Sequence, residues 1–215
     1  MKSILLIGLG RFGKHIAMKL HELGQEVMAV DIREDRVEEC LPFVTNAVIG
    51  DSTRQSFLES LGASDYDLCI VAIGDNFQSS LETTSLLKEL GAPVVVSRAC
   101  GDFQEKFLLK NGADKVVYPE KELAQWTAIT YSSDQIFDYF SMGEGYAVME
   151  VQVPASWVGK TVGQMDIRKK YGINIMAFKN GKDLNMRVEV GTVFTGKETL
   201  MVLGRDSDIH RCFRI

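Results

Sequence analysis

Ile4-Leu5-Leu6-Ile7-Gly8-Leu9-Gly10-Arg11-Phe12-Gly13, running on into Lys14-His15-Ile16-Ala17-Met18-Lys19-Leu20, decides the fold of this 215-residue chain. Four consecutive aliphatic residues read as a strand buried on both faces, and the apolar positions after Gly13 recur at helical spacing. Between strand and helix stands G-x-G-x-x-G. Gly8 permits the tight turn, Gly10 lets a diphosphate approach the backbone, and Gly13 allows the helix to pack closely on the strand. The helix start offers unpaired N–H groups to the same anion. Alone the motif is weak, because glycine turns after strands are common. It gains weight from Asp31, which ends the next apolar run 18 residues after Gly13, where a carboxylate accepts hydrogen bonds from both hydroxyls of a ribose. A glycine turn beside a merely solvated Asp is the competing reading. Asp31 would also repel a 2′-phosphate, although Arg33 lies nearby in sequence.

Outward from this stretch, short β-branched runs recur at 27–30, 47–49, 68–72, 94–96 and 115–118, separated by segments of helical periodicity. Continuously apolar strands alternating with helices imply a parallel sheet covered on both faces. Gly24, Gly62, Gly91 and Gly112 each follow a helical segment, where a left-handed residue ends a helix. Residues 1–120 therefore read as α/β, a Rossmann-like, six-stranded, doubly wound parallel sheet. From 120 to about 140 the pattern stays helical through Leu123, Trp126, Thr127, Thr130 and Tyr131, with no Gly or Pro to stop it. Residues 121–144 are expected to be a connecting helix and linker, closed by Met142-Gly143-Glu144-Gly145. Residues 145–215 read as a small α+β domain, with strands at 148–153, 173–178, 184–188 and 200–203, helices at 166–171 and 206–213, and a hairpin at Asn180-Gly181.

Composition narrows the class. With 46% hydrophobic and 25% charged residues the chain has the balance of a globular protein, which excludes disorder and membrane embedding. Residues 1–120 carry 12 Lys and Arg against 18 Asp and Glu, while residues 145–215 carry 11 against 7. No basic run exceeds Arg168-Lys169-Lys170, so there is no electrostatic footprint for duplex nucleic acid. Cys40, Cys69, Cys100 and Cys212 form no C-x-x-C pair, which argues against zinc and fits unpaired thiols in a reducing compartment. Arg11 and Lys14 interrupt the first apolar run too early for a signal peptide. The longest apolar run, 68–73, falls far short of the roughly 20 residues of a spanning helix, so work at a membrane requires a docking partner.

A hydride-transfer enzyme needs an acid/base group near the cofactor. His15 and His21 fall in the first helix and His210 in the last, none at the carboxyl end of a later strand. Asp75, after the fourth strand, reads as a solvated loop carboxylate. Arg11 follows Gly10, and two readings stand side by side: a guanidinium aimed at a terminal phosphate, or a surface Arg covering the helix start.

Gly8 to Gly13, Val30-Asp31, Gly50-Asp51-Ser52-Thr53, Val71 to Ser80 (with Ile73-Gly74-Asp75-Asn76), and Gly112-Ala113-Asp114 with Tyr118-Pro119-Glu120 together resemble the RCK (regulator of potassium conductance) proteins. Within them the chain is most similar to the KtrA/TrkA-type regulatory subunits of bacterial potassium transporters. The resemblance implies an N-terminal nucleotide-binding domain, a crossover helix and a small C-terminal domain. It implies a homo-oligomer, dimers assembled into an octameric ring, that binds ATP or ADP, and in some members NADH, and gates a separate membrane-embedded channel or transporter subunit. It places the phosphates on the loop Gly8, Gly10, Arg11, Phe12 and Gly13, with Arg11 at the terminal phosphate, the ribose on Asp31, and the adenine beside Ile32, Asp51 and Ser52. Ile73, Gly74, Asp75 and Asn76 line the site, with Arg98 near the phosphates. Glu120 matches a carboxylate that helps hold Mg, Ca or Na at the γ-phosphate of a neighbouring subunit. From its position alone, Glu120 is an acidic residue in a helix's first turn, where the helix dipole favours it.

The C-terminal part resembles the region that binds cyclic di-AMP at a dimer interface in some members, with Asp166, Ile167 and Arg168 matching a D-I-R piece and Asn174 and Ile175 an N-I piece. Val162-Gly163 replaces the apolar pair before D-I-R, and Val188 stands where a proline is expected; both departures weigh against that ligand. Taken together, these features lead to the expectation of a non-catalytic, cytoplasmic switch, peripheral at the membrane through its partner. The alternatives are a small NAD-dependent oxidoreductase and, ranked below it, an NADH-sensing regulator.

Overall fold

The continuous apolar runs of the first half form six parallel strands, as their burial on both faces requires. A computed structural model describes all of residues 1–215 and divides into two units, Met1–Lys121 and Glu122–Ile215. Unit 1 runs β1 (Ser3–Ile7), α1 (Arg11–Glu22), β2 (Glu26–Asp31), α2 (Glu34–Cys40), β3 (Asn46–Ile49), α3 (Gln55–Leu61), β4 (Leu68–Val71), α4 (Phe77–Glu89), β5 (Val95–Arg98), α5 (Asp102–Lys110) and β6 (Lys115–Val117). The sheet order is β3-β2-β1-β4-β5-β6, all neighbours parallel. Alternate residues of β1 serve opposite faces. Leu5 and Ile7 pack with Leu58 and Leu87 on one side, and Leu6 packs with Ala17 and Val37 on the other. All four glycines expected to end helices are left-handed. The chain order reverses between β1 and β4, and a doubly wound sheet opens a crevice at the carboxyl ends of such a pair.

Unit 2 holds most of α6 (Pro119–Thr130), then β7 (Ile136–Gly143), β8 (Tyr146–Gln152), α7 (Val162–Met165), α8 (Ile167–Tyr171), β9 (Asn174–Asn180), β10 (Asp183–Asn185), β11 (Thr199–Arg205) and α9 (Asp206–Phe213). Its sheet is antiparallel, in the order β10-β9-β11-β8-β7. Met149, Val151, Leu200 and Val202 bury one face, against an aromatic group in which Trp157 lies 5.4 Å from Phe194 and 5.2 Å from Phe213. Asn180 and Asp183 pair across the expected hairpin, although β10 ends at Asn185 rather than at 188.

The long connecting helix is corrected. It stops at Thr130, and Ile136–Gly143 is a strand paired with β8. Polar side chains do what Gly or Pro does elsewhere: the Ser132 hydroxyl donates to the Ile129 carbonyl at 2.8 Å, and the Ser133 hydroxyl accepts from the Gln135 N–H at 3.2 Å. Such local bonds compete with the helical ladder. The expected apolar surface divides accordingly. Thr130 and Ile136 are buried and Trp126 packs on the unit's core, while Leu123, Tyr131, Phe137 and Phe140 are exposed. A further helix, α7, was not expected; its capping box, Thr161 with Gln164, is visible in the sequence as T-x-x-Q. No helix is long and apolar enough to cross a membrane.

Candidate functional site

The carboxyl ends of β1, β2, β4 and β5 open into a cleft of about 1170 Å³ in unit 1. Its floor is the glycine loop, and the three glycines have different jobs. A Cβ on Gly13 would lie 1.9 Å from the Gly8 carbonyl oxygen, and one on Gly8, where φ is +94°, would lie 2.9 Å from the Ile73 nitrogen. Both positions are closed by packing. A Cβ on Gly10 would meet nothing nearer than Arg36 Nη1 at 3.9 Å. Gly10 is thus the point where the loop backbone faces open space, as the approach of a diphosphate demands. Gly13 lies under the loop and forms no part of the cleft wall.

Asp31 is buried, and its carboxylate is partly engaged. Oδ2 accepts from the Leu9 N–H at 2.6 Å and Oδ1 from the Arg33 N–H at 2.9 Å, with Arg36 Nη1 at 3.6 Å from Oδ2. Each oxygen has a second lone pair, which leaves acceptor capacity for a ribose. The Arg33 guanidinium pairs with Asp35. On the neighbouring loop, the Thr53 hydroxyl and N–H, at 2.7 and 3.0 Å, hold the Asp51 carboxyl below the usual carboxylate range, with Arg54 assisting. Ser52 is buried against the Thr83 hydroxyl at 2.8 Å. Ile32 projects into solvent beside Asp31.

After β4, Ile73, Gly74, Asp75 and Asn76 form the opposite wall, and the Asn76 side chain caps α4 by accepting from the Ser79 N–H at 3.1 Å. Arg98 at the end of β5 reaches across Gly74, with its guanidinium 5.3 Å from the centre of the Phe12 ring and Nη2 donating to Glu120. Its Nε is buried without a partner. Arg11 is exposed at the loop and makes no ion pair. The structure therefore brings Gly8, Gly10, Arg11, Phe12, Asp31, Ile32, Asp51, Ser52, Ile73, Gly74, Asp75, Asn76, Arg98 and Glu120 around one cleft. Within one chain, Glu120 is a single carboxylate already paired with a guanidinium, and no group of three or more His, Cys, Asp or Glu is placed to hold a metal.

Sequence reasoning missed Arg36, Lys14 and His15, which also line the cleft. Nothing in the local pattern marks Arg36, whose position depends on how α2 packs. His15 is exposed at the rim, His21 meets the Phe43 ring edge-on, and His210 Nδ1 lies 2.8 Å from the Ile215 carbonyl oxygen. In unit 2 the five cyclic di-AMP candidates lie on α8, on the residue before it and on β9. Ile167 is committed to the core, Asp166 is a left-handed residue between α7 and α8, Arg168 is exposed, and Asn174 lines a shallow groove beside Tyr146 and Gly172. Ile175, on β9, packs against the unit's core.

Residues 4–119 match the TrkA-N domain and residues 148–215 the TrkA-C domain. Over 210 residues, 98% of this chain and 95% of each relative, the chain is 43% identical to Ktr system potassium uptake protein C and 35% identical to Ktr system potassium uptake protein A, both of Bacillus subtilis (strain 168). It is 31% identical to the Vibrio alginolyticus Ktr system potassium uptake protein A, over 94% of this chain and 92% of that one. Among solved structures, the GsuK RCK domain matches 99% of this chain at a TM-score of 0.68 and 17% identity, and the NAD-bound GsuK channel matches 98% at 0.71 and 18%. This chain spans 47% and 38% of those chains, and at such identity the likeness is one of fold. With both domains matched in order, and relatives of 31 to 43% identity along nearly its whole length, the chain belongs to the TrkA-N/TrkA-C family of the Ktr potassium uptake proteins.

Proposed function

We propose that this protein is the nucleotide-binding regulatory subunit of a potassium-uptake system, and that it acts from the cytoplasmic side on a separate membrane-embedded channel or transporter subunit. The observation that carries the nucleotide assignment is the open backbone of Gly10 in a cleft that Asp31, Arg11 and Arg98 also line. A carboxylate for the ribose, an unobstructed loop for the diphosphate and guanidinium groups for further phosphates suit ATP and ADP, with NADH sharing the ADP half. A non-catalytic switch needs only that two ligands make different contacts. A γ-phosphate reached by Arg11 supplies that difference between ATP and ADP. The relatives favour this regulatory reading over the oxidoreductase.

The test is thermal stabilisation of the purified protein by ATP, ADP, NADH, NADPH and cyclic di-AMP, since a ligand bound by the native state raises the melting temperature by mass action. ATP and ADP are expected to stabilise and NADPH is not, because Asp31 opposes a 2′-phosphate. A response to NADPH alone, or to none of the adenine nucleotides, overturns the reading. Stabilisation by cyclic di-AMP would show a second ligand, for which Asp166, Ile167, Arg168, Asn174 and Ile175 are the candidate contacts.

A further inference from the structure

We propose that Arg36 binds a phosphate of the nucleotide, in competition with Asp75; the inference rests on the nucleotide reading above. Arg36 lies on the first turn of α2, and its half-buried guanidinium bridges two acids from opposite walls of the cleft. Nη1 is 3.6 Å from Asp31 Oδ2, and Nη2 is 3.3 Å from Asp75 Oδ2. The same Nη1 is the atom nearest to a Cβ built on Gly10, at 3.9 Å. Arg36 thus stands over the one glycine of the loop whose backbone is open, between the carboxylate suited to a ribose and the place suited to a diphosphate.

The neighbouring cations are differently placed. Lys14 is paired with Glu39, Arg33 with Asp35, and Arg98 with Glu120 on the far side of Gly74. Of the two acids at Arg36, Asp31 already accepts from two backbone N–H groups, and its 3.6 Å approach to Arg36 is too long for a hydrogen bond. Asp75 is 71% exposed on the side chain, and such a pair contributes little to stability. A phosphate over Gly10 carries more charge and accepts two parallel bonds from a guanidinium, so it displaces Asp75. Asp75 is then a competitor for Arg36 rather than a ligand contact.

The experiment measures adenosine, AMP and ADP affinities, by displacement of a fluorescent ADP analogue, for the full-length wild type, Arg36→Gln, Asp75→Asn and the double variant. The expected result is that Arg36→Gln weakens AMP and ADP about tenfold or more and leaves adenosine unchanged, the scale of a lost charge-assisted bond. Asp75→Asn should tighten AMP and ADP a few-fold, and only while Arg36 is present. Arg36→Lys, which keeps the charge, should retain part of the phosphate preference. An equal loss for adenosine and ADP on Arg36→Gln, or no loss of ADP affinity, overturns the proposal, as does weaker ADP binding on Asp75→Asn. A wild type that binds none of the three overturns the nucleotide reading itself.

Discussion

The buried carboxylate of Asp31 accepts a hydrogen bond from the Leu9 N–H at 2.6 Å, so the residue that ends β2 also holds the glycine loop that follows β1. Asp31→Ala strands the buried Leu9 N–H, and an unsatisfied buried donor costs about 1 to 3 kcal/mol. The variant should lose that much stability in urea denaturation without nucleotide, and a similar amount of ADP binding energy by calorimetry. A wild-type denaturation midpoint would show that the loop does not depend on this bond.

Gly10 and Gly13 should separate binding from folding. Gly13→Ala puts a methyl group 1.9 Å from the Gly8 carbonyl oxygen, so backbone must move, and the loss should reach about 3 kcal/mol or more. Gly10→Ala meets only the end of Arg36, at 3.9 Å, with a φ of −63° open to any residue. It should melt within a few degrees of wild type while ADP no longer raises its melting temperature.

Arg11 is exposed and makes no ion pair, so Arg11→Ala should leave stability unchanged. It should reduce the preference for ATP over ADP while sparing ADP affinity, because a guanidinium at the terminal phosphate acts only on the ligand that has one. Titration calorimetry with both nucleotides checks this; equal losses would move Arg11 to the shared phosphates.

Asp114 links the starts of β5 and β6. The Val95 N–H, at 2.7 Å, and then Lys88, at 3.0 Å, hold its carboxyl below the usual range. A depressed folded-state value means that this contribution is present above the unfolded value of about 3.9 and is lost as pH falls through the folded one. The side chain is 43% exposed, so solvent screening keeps the effect small. Between about pH 5 and about pH 3, wild type should lose about 0.5 kcal/mol more stability than Asp114→Asn, measured by chemical denaturation across that range.

Leu123, Tyr131, Phe137 and Phe140 leave apolar surface exposed on unit 2, and such surface marks contacts between chains when it gathers into a patch. Light scattering at micromolar concentration should show at least a dimer. A monomer would overturn the expectation of a homo-oligomer.

Periodicity and glycine geometry are local properties, and they carried the six parallel strands, the helix ends at Gly24, Gly62, Gly91 and Gly112, the loop from Gly8 to Gly13 and the carboxylate at Asp31. The end of α6 was illegible because Ser132 and Ser133 stop the helix through side-chain bonds that a hydrophobic pattern does not register. Only the tertiary structure decided that Gly10 alone of the three glycines faces open space, since the obstruction at Gly8 and Gly13 comes from the β4 end and from the loop's own fold. It likewise gave Asp31 a second duty toward Leu9, and set Arg36 against Asp75, 39 residues away along the chain. Both relationships arise where separate strands and helices are packed side by side, and no window of neighbouring residues contains that information.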